Sequence, residues 1–331
     1  MSTSNTQNSI KRRREEVEHI LKEEGNRFSL LPIKHQEIWG LYKKHLHSFW
    51  TNDEIDFHQD LKQYNELTED EKYFIKMVLA FFSNSDGIVI ENLGLRFIKD
   101  IPIAEVRAFY ICQMFFEQIH SESYAQMIDT YISDPNEKTE LFNAIETIPA
   151  IKEKADWAIK YIESTDSFAV RVVAFAIVEC IQFSGSFCAI AWLKQRGLMP
   201  GLSLANQFIS RDEGIHVQAA ILIYTKYVQN KLSEDEINTM INEAVNIETK
   251  FICDSIPCRL IGMNSDLMIQ YIQFVADFLV SRLGYRKMFN VECPFEFMLT
   301  IELQGKSNFF ELLPSEYQRA GEKTFSLDED F

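Results

Sequence analysis

Glycine and proline are scarce: 12 and 8 among 331 residues, spread thinly along the chain. With few helix breakers and no run of alternating polar and apolar residues that demands a sheet, long uninterrupted helices are the expected elements. The six cysteines, Cys112, Cys180, Cys188, Cys253, Cys258 and Cys293, contain no C-x-x-C pair. Neither a zinc site nor a disulfide framework is indicated. Positive charge is in deficit. The formal net charge of −16 excludes an extended nucleic-acid surface, because phosphate binding needs clustered Lys and Arg. The one basic cluster, Lys11 to Arg14, runs at once into acidic residues and reads as part of a solvated arm. The N-terminus lacks the apolar segment of a secretory signal, and there is no phosphate loop or G-x-G-x-x-G. A reduced, cytoplasmic protein with no nucleotide site of its own is expected.

What the chain does have is apolar residues, 46% of the total, ample for a large core. Residues 172–193 are as long as a membrane span. Glu179 and Gln182 in the interior, no second comparable run, and polar motif-bearing helices on either side favour a buried helix of a bundle outside any membrane. Thr68 with Glu71 and Ser233 with Glu236 make capping boxes, and Pro102 is placed near the first turn of the helix that follows it. A helix from Ser233 to about Asp254 and another over Asp266 to Arg286 fill the second half. Residues 1–27 read as a polar N-terminal arm, 28–314 as the helical domain and 315–331 as a mobile tail.

The chemistry concentrates in QMFFEQIHSESY, residues 113–124. On a helix Glu117, His120 and Tyr124 stand at i, i+3 and i+7 on one face, among apolar neighbours that would make a lone buried carboxylate costly. A metal ion answers that cost. Spacing alone is weak support, since Glu16 and His19 repeat it within a charged, solvated run. Glu213 and His216 repeat it in an apolar stretch, and two buried E-x-x-H helices are what a ferritin-like dimetal-carboxylate bundle requires. Such a bundle also needs one carboxylate from each of two further helices; Asp86 and Glu179 are the candidates. Four carboxylates and two imidazoles suit paired iron or manganese better than zinc or copper, and they neutralise two divalent ions.

Beyond these donors, the motifs SFWTNDEIDF, LAFFSNSDGIVIENL, FEQIHSESY, VVAFAIVECIQFSGSF, ISRDEGIH, GKSNFFE, EYQRAG and the terminal FSLDEDF resemble the small, radical-bearing subunit of class I ribonucleotide reductase of the eukaryotic or eukaryotic-virus type. The resemblance implies an all-α, ferritin-like helical bundle holding a di-iron centre, two iron ions per chain, with manganese as the other metal suited to the same donors. Asp86 and His120 would hold one ion, Glu179 and His216 the other, and Glu117 and Glu213 would bridge them. Tyr124 would carry a stable radical, sheltered by Phe183, Phe187 and Ile209. Trp50, Asp212 and Tyr317 would relay it toward a large catalytic subunit, where ribonucleotides are reduced. The tail would dock there through Phe325, Leu327 and Phe331, and the chain would pair as a homodimer. Ile90, Cys180 and Gln182 depart from residues common in that family. A stand-alone oxidase of the same helical class needs neither docking tail nor relay, and a metal-free scaffold subunit would have lost ligands that are all present here.

Overall fold

The computed structural model describes residues 18–22, 29–162, 167–255 and 257–298. Its long helices are α1 (Gln36–His47), α2 (Glu69–Asn92), α3 (Ala104–Tyr131), α4 (Pro149–Ile162), α5 (Phe168–Ile177), α6 (Ser184–Gln195), α7 (Pro200–Leu222), α8 (Glu234–Thr249) and α9 (Ser265–Arg282). No strand occurs among the described residues. Two of these helices start on the capping boxes expected for them. Thr68 Oγ1 accepts from Glu71 N while Glu71 returns a carboxylate to Thr68 N, and Ser233 with Glu236 repeats the exchange. The expected start at Pro102 is displaced: α3 begins at Ala104 with Ile103 as its N-cap. Pro102 therefore lies before the helix.

Helix α3 runs along α2 and α1, and α7 packs on α1, α3, α5 and α6. The segment resembling a membrane span is interior, 94% of its most apolar window being buried. It is not one helix. One turn, Val178–Gln182, is wound as a π-helix, and α6 restarts after Phe183. Glu69–Asp100 is also long and apolar enough to cross a membrane, with half of its most apolar window buried, so the expectation of no second comparable run fails. Both runs carry faces of the same core.

The break after the π-turn has its own buried support. Lys154 Nζ donates to the Gln182 carbonyl and to Glu248 Oε2, each at 2.5 Å, while Glu248 Oε1 accepts from Gly185 N at 3.0 Å. Backbone groups on both sides of the interruption thus find partners. A Cβ at residue 185 would sit 2.6 Å from Glu248 Oε1, so any side chain there would have to displace that carboxylate. Burial pushes the Lys154 amine down to about 8 even against the pull of Glu248.

Part of the N-terminal arm packs. Residues 19–21 form a single 3₁₀ turn with Ile20 buried, and the Glu18 carboxylate accepts from Gln229 N and Asn230 N beyond α7. His19 is exposed, as a solvated run requires. Asp60 caps α7 from a distant segment: its two oxygens accept from Gly201 N and Leu202 N, both at 2.8 Å, and from the Tyr131 hydroxyl at 2.6 Å.

Candidate metal centre

Helix α3 presents Glu117, His120 and Tyr124 on its inner face, α7 presents Glu213 and His216, α2 brings Asp86, and the π-turn brings Glu179. All six expected donors are buried, none more than 3% exposed, and they meet in one cluster. Oxygen and nitrogen atoms of Glu117, Glu179, Glu213 and His216 lie within 4.8 Å of one another, as do those of Asp86, Glu117 and His120. Glu117 belongs to both groups. His216 Nδ1 is 2.8 Å from Glu213 Oε2 and 3.0 Å from Glu117 Oε1; His120 Nδ1 is 3.0 Å from Glu213 Oε1 and 3.4 Å from Glu117 Oε2. Both imidazoles therefore turn Nδ1 inward.

Several inward atoms, Asp86 Oδ2, Glu117 Oε2, Glu179 Oε2 and His120 Nδ1, form no hydrogen bond. Buried polar atoms are rarely left so, and their convergence fits a site completed by cations. Burial and the neighbouring Glu117 raise the Asp86 carboxyl well above its ordinary range; burial and Glu213 do the same to Glu179. Burial opposes charge on His120 and His216, yet the surrounding carboxylates raise both well above the usual histidine value. Glu213, also opposed by burial, is held well below its range, chiefly by His216. The donor set suits a dimetal site of mixed oxygen and nitrogen ligation.

Gln113, one turn before Glu117 on α3, is fully buried and donates from Nε2 to Glu117 Oε1 at 3.2 Å and to Glu179 Oε1 at 3.1 Å. Gln113 is uncharged, and in the sequence only its i, i+4 spacing to Glu117 marks it.

On its outer side His120 turns Nε2 to Asp212 Oδ2 at 3.3 Å, and Trp50 Nε1 donates to the same oxygen at 2.7 Å. Arg211 donates to Oδ1 from Nε at 3.1 Å and from Nη2 at 3.0 Å, and Ser48 Oγ reaches it at 3.4 Å. Burial would raise Asp212, but Arg211 and His120 hold it below the carboxylate range. An ionised Asp212 joins Trp50 to a candidate ligand.

The Tyr124 ring lies flat on Phe82, centroids 4.6 Å apart and planes 6° from parallel, and its hydroxyl is buried with no hydrogen-bond partner. Burial, then the charge of Asp86, raises that phenol well above its usual value. Phe183 and Phe187 back Phe82 at 5.6 and 4.9 Å, so the ring stacked on Tyr124 is Phe82, with the two expected phenylalanines behind it. Ile209 is buried on α7. Gln182, beside Glu179 in the π-turn, leaves its amide nitrogen without a partner. It lines a cavity of about 30 Å³ with Lys154, Asn92 and Phe183, room for a water-sized molecule. Tyr317, Phe325, Leu327 and Phe331 lie outside the described residues.

With this geometry in hand, known proteins give a consistent answer. The profile of the ribonucleotide reductase small chain matches residues 27–294. A ribonucleoside-diphosphate reductase small chain of Trypanosoma brucei brucei is 54% identical over 328 residues, covering 97% of each chain. One from Arabidopsis thaliana is 52% identical, covering 95% of this chain and 98% of its own. Among solved structures, the ribonucleotide reductase Rnr4 homodimer from Saccharomyces cerevisiae superposes with a TM-score of 0.83 at 34% identity, over 92% of this chain and 97% of that one. A match over most of the chain at such identity, on a helical bundle with a buried carboxylate and histidine cluster, means that the chain belongs to the ribonucleotide reductase small-chain family.

Proposed function

We propose that this chain is the radical-generating small subunit of a ribonucleoside-diphosphate reductase, working with a separate large subunit that carries out the reduction of ribonucleotides to deoxyribonucleotides. The observation that carries the radical role is the burial of Tyr124, its hydroxyl unpartnered, beside a cluster of unsatisfied metal-binding atoms. Asp86 and His120 would hold one ion, Glu179 and His216 the other, and Glu117 and Glu213 would bridge them. Iron is the proposed metal, with manganese suited to the same donors. A bound pair of such ions supplies the redox equivalents by which oxygen can oxidise a nearby phenol. The chain's own part would be to bind the pair and to keep water from the Tyr124 ring with Phe82, Phe183, Phe187 and Ile209.

Trp50 and Asp212 are the proposed relay, supported by the hydrogen bonds that join the indole, Asp212 and His120. Tyr317 would continue that path, and Phe325, Leu327 and Phe331 would dock the tail on the large subunit. We assign residues 1–27 to an arm, 28–314 to the bundle and 315–331 to the docking tail. Pairing of two copies is favoured by an exposed apolar face of Leu46, Phe49, Ile111 and Phe115 on and beside α1 and α3. The cytoplasm is the proposed place of work.

The deciding experiment adds ferrous iron and oxygen to metal-free protein and records the electron paramagnetic resonance spectrum. A tyrosyl radical that Tyr124→Phe abolishes, with two ions still bound, is the expected result. An undiminished radical in that variant would overturn the role of Tyr124. Deleting 325–331 should spare the radical and remove activity with the large subunit.

A further inference from the structure

The inner nitrogens of His120 and His216 face the same cluster, so a cation bound there leaves the proton of each ring on its outer nitrogen. Metal-bound imidazoles nearly always give that outer N–H to an acceptor, which fixes tautomer and ring orientation. For His120 the acceptor is Asp212. For His216 Nε2 no hydrogen bond exists. Against His216 lies His45 of α1, ring centroids 4.9 Å apart and planes 67° from parallel. Its side chain is fully buried, stacked at 3.8 Å on Phe116, and both of its nitrogens also lack a partner.

A buried imidazole with neither nitrogen hydrogen-bonded is costly. Packing alone would be served better there by an apolar ring. A half-turn of His45 about its Cβ–Cγ bond preserves the stack on Phe116 and exchanges which ring atoms face His216. Ring orientation of this kind is set by hydrogen bonding. We propose that His45 is a positioning residue of the metal centre, accepting the outer N–H of His216 and fixing that ring as Asp212 fixes His120. His45 touches no reacting atom. It acts through His216 alone.

This inference rests on the metal-centre reading above, and the experiment separates the two. Metal-free wild type, His45→Phe and His45→Gln are titrated anaerobically with Mn(II), bound and free ion being distinguished by paramagnetic resonance, with circular dichroism and melting temperature as folding controls. Wild type should bind two ions. His45→Phe, which keeps the stack and loses the acceptor, should bind one ion as before and the other about tenfold or more weakly. His45→Gln, which restores an acceptor, should recover part of the loss. Two ions bound by His45→Phe with unchanged affinity would overturn the role of His45 and leave the metal centre standing. Failure of wild type to bind any would overturn both. Should the Phe variant not fold, His45→Met against His45→Gln gives the same contrast of volume without and with an acceptor.

Discussion

His120 and His216 sit at equivalent places on α3 and α7, each three residues after a glutamate, yet their outer surroundings differ. Behind His120 lies a continuous polar network of Asp212, Arg211, Ser48 and Trp50. Behind His216 lie aromatic rings and a histidine without hydrogen bonds. The cluster is therefore wired on one side and sealed on the other. In a low-dielectric interior a hydrogen-bonded network of this kind strengthens its own members.

The largest effect should come from a residue that reaches both halves. Glu117→Ala should abolish binding of both ions, a loss exceeding the ten- to hundredfold that removal of an outer hydrogen-bond partner costs. Metal titration checks it. A variant that kept one full-affinity site would mean that the halves are independent.

Next comes the wired half. Asp212→Asn leaves the Arg211 guanidinium, 7% exposed, without its buried counter-charge, so the metal-free fold should lose about 3 kcal/mol in a denaturant titration. The ion on His120 should weaken while the one on His216 does not, the mirror image of His45→Phe.

A pH series tests both halves together. In the metal-free protein His120 and His216 are protonated above their ordinary value, so the stability they contribute is complete below about pH 6.5 and fades as pH climbs through the raised values. The raised carboxyls of Asp86 and Glu179 act in the same sense from their lower ordinary values upward. Metal displaces these protons. Binding should therefore tighten with rising pH and release protons into weakly buffered solution, and melting curves of metal-free and loaded protein should diverge toward alkaline pH.

The smallest expected effect lies at Tyr124. The Tyr124 hydroxyl has no partner, so Tyr124→Phe should leave the metal-free protein unchanged or stabilise it by up to about 1 kcal/mol. A clear drop in melting temperature would show that the hydroxyl is held by a bond the apolar pocket conceals.

The donors could be read from sequence because an ionisable residue in an apolar helix announces its own cost. Glu117, His120, Glu213, His216, Asp86 and Glu179 all stand out in this way. Helix winding could not be read so easily. Extra residues in π-turns such as Val178–Gln182 shift every later face, and nothing in VECIQ marks the change of hydrogen-bond register. Gln113 was hidden by being uncharged. His45 was hidden in YKKHLHSFW, where two basic neighbours and a second histidine make it look like the solvated end of a helix. Lys154 and Glu248 meet across a long stretch of chain, and no local pattern predicts such a pair.

The capping of α7 by Asp60 couples distant parts of the chain in time as well as in space. Gly201 and Leu202 give their amide protons to a carboxylate that arrives from the segment before α2 and is held by Tyr131 of α3. Releasing those protons to solvent means lifting three elements at once and stranding a buried charge. Their hydrogen exchange should thus follow global opening and not the fraying usual at a helix end. The start of the helix that carries Glu213 and His216 would then be among the last places on the molecule to exchange.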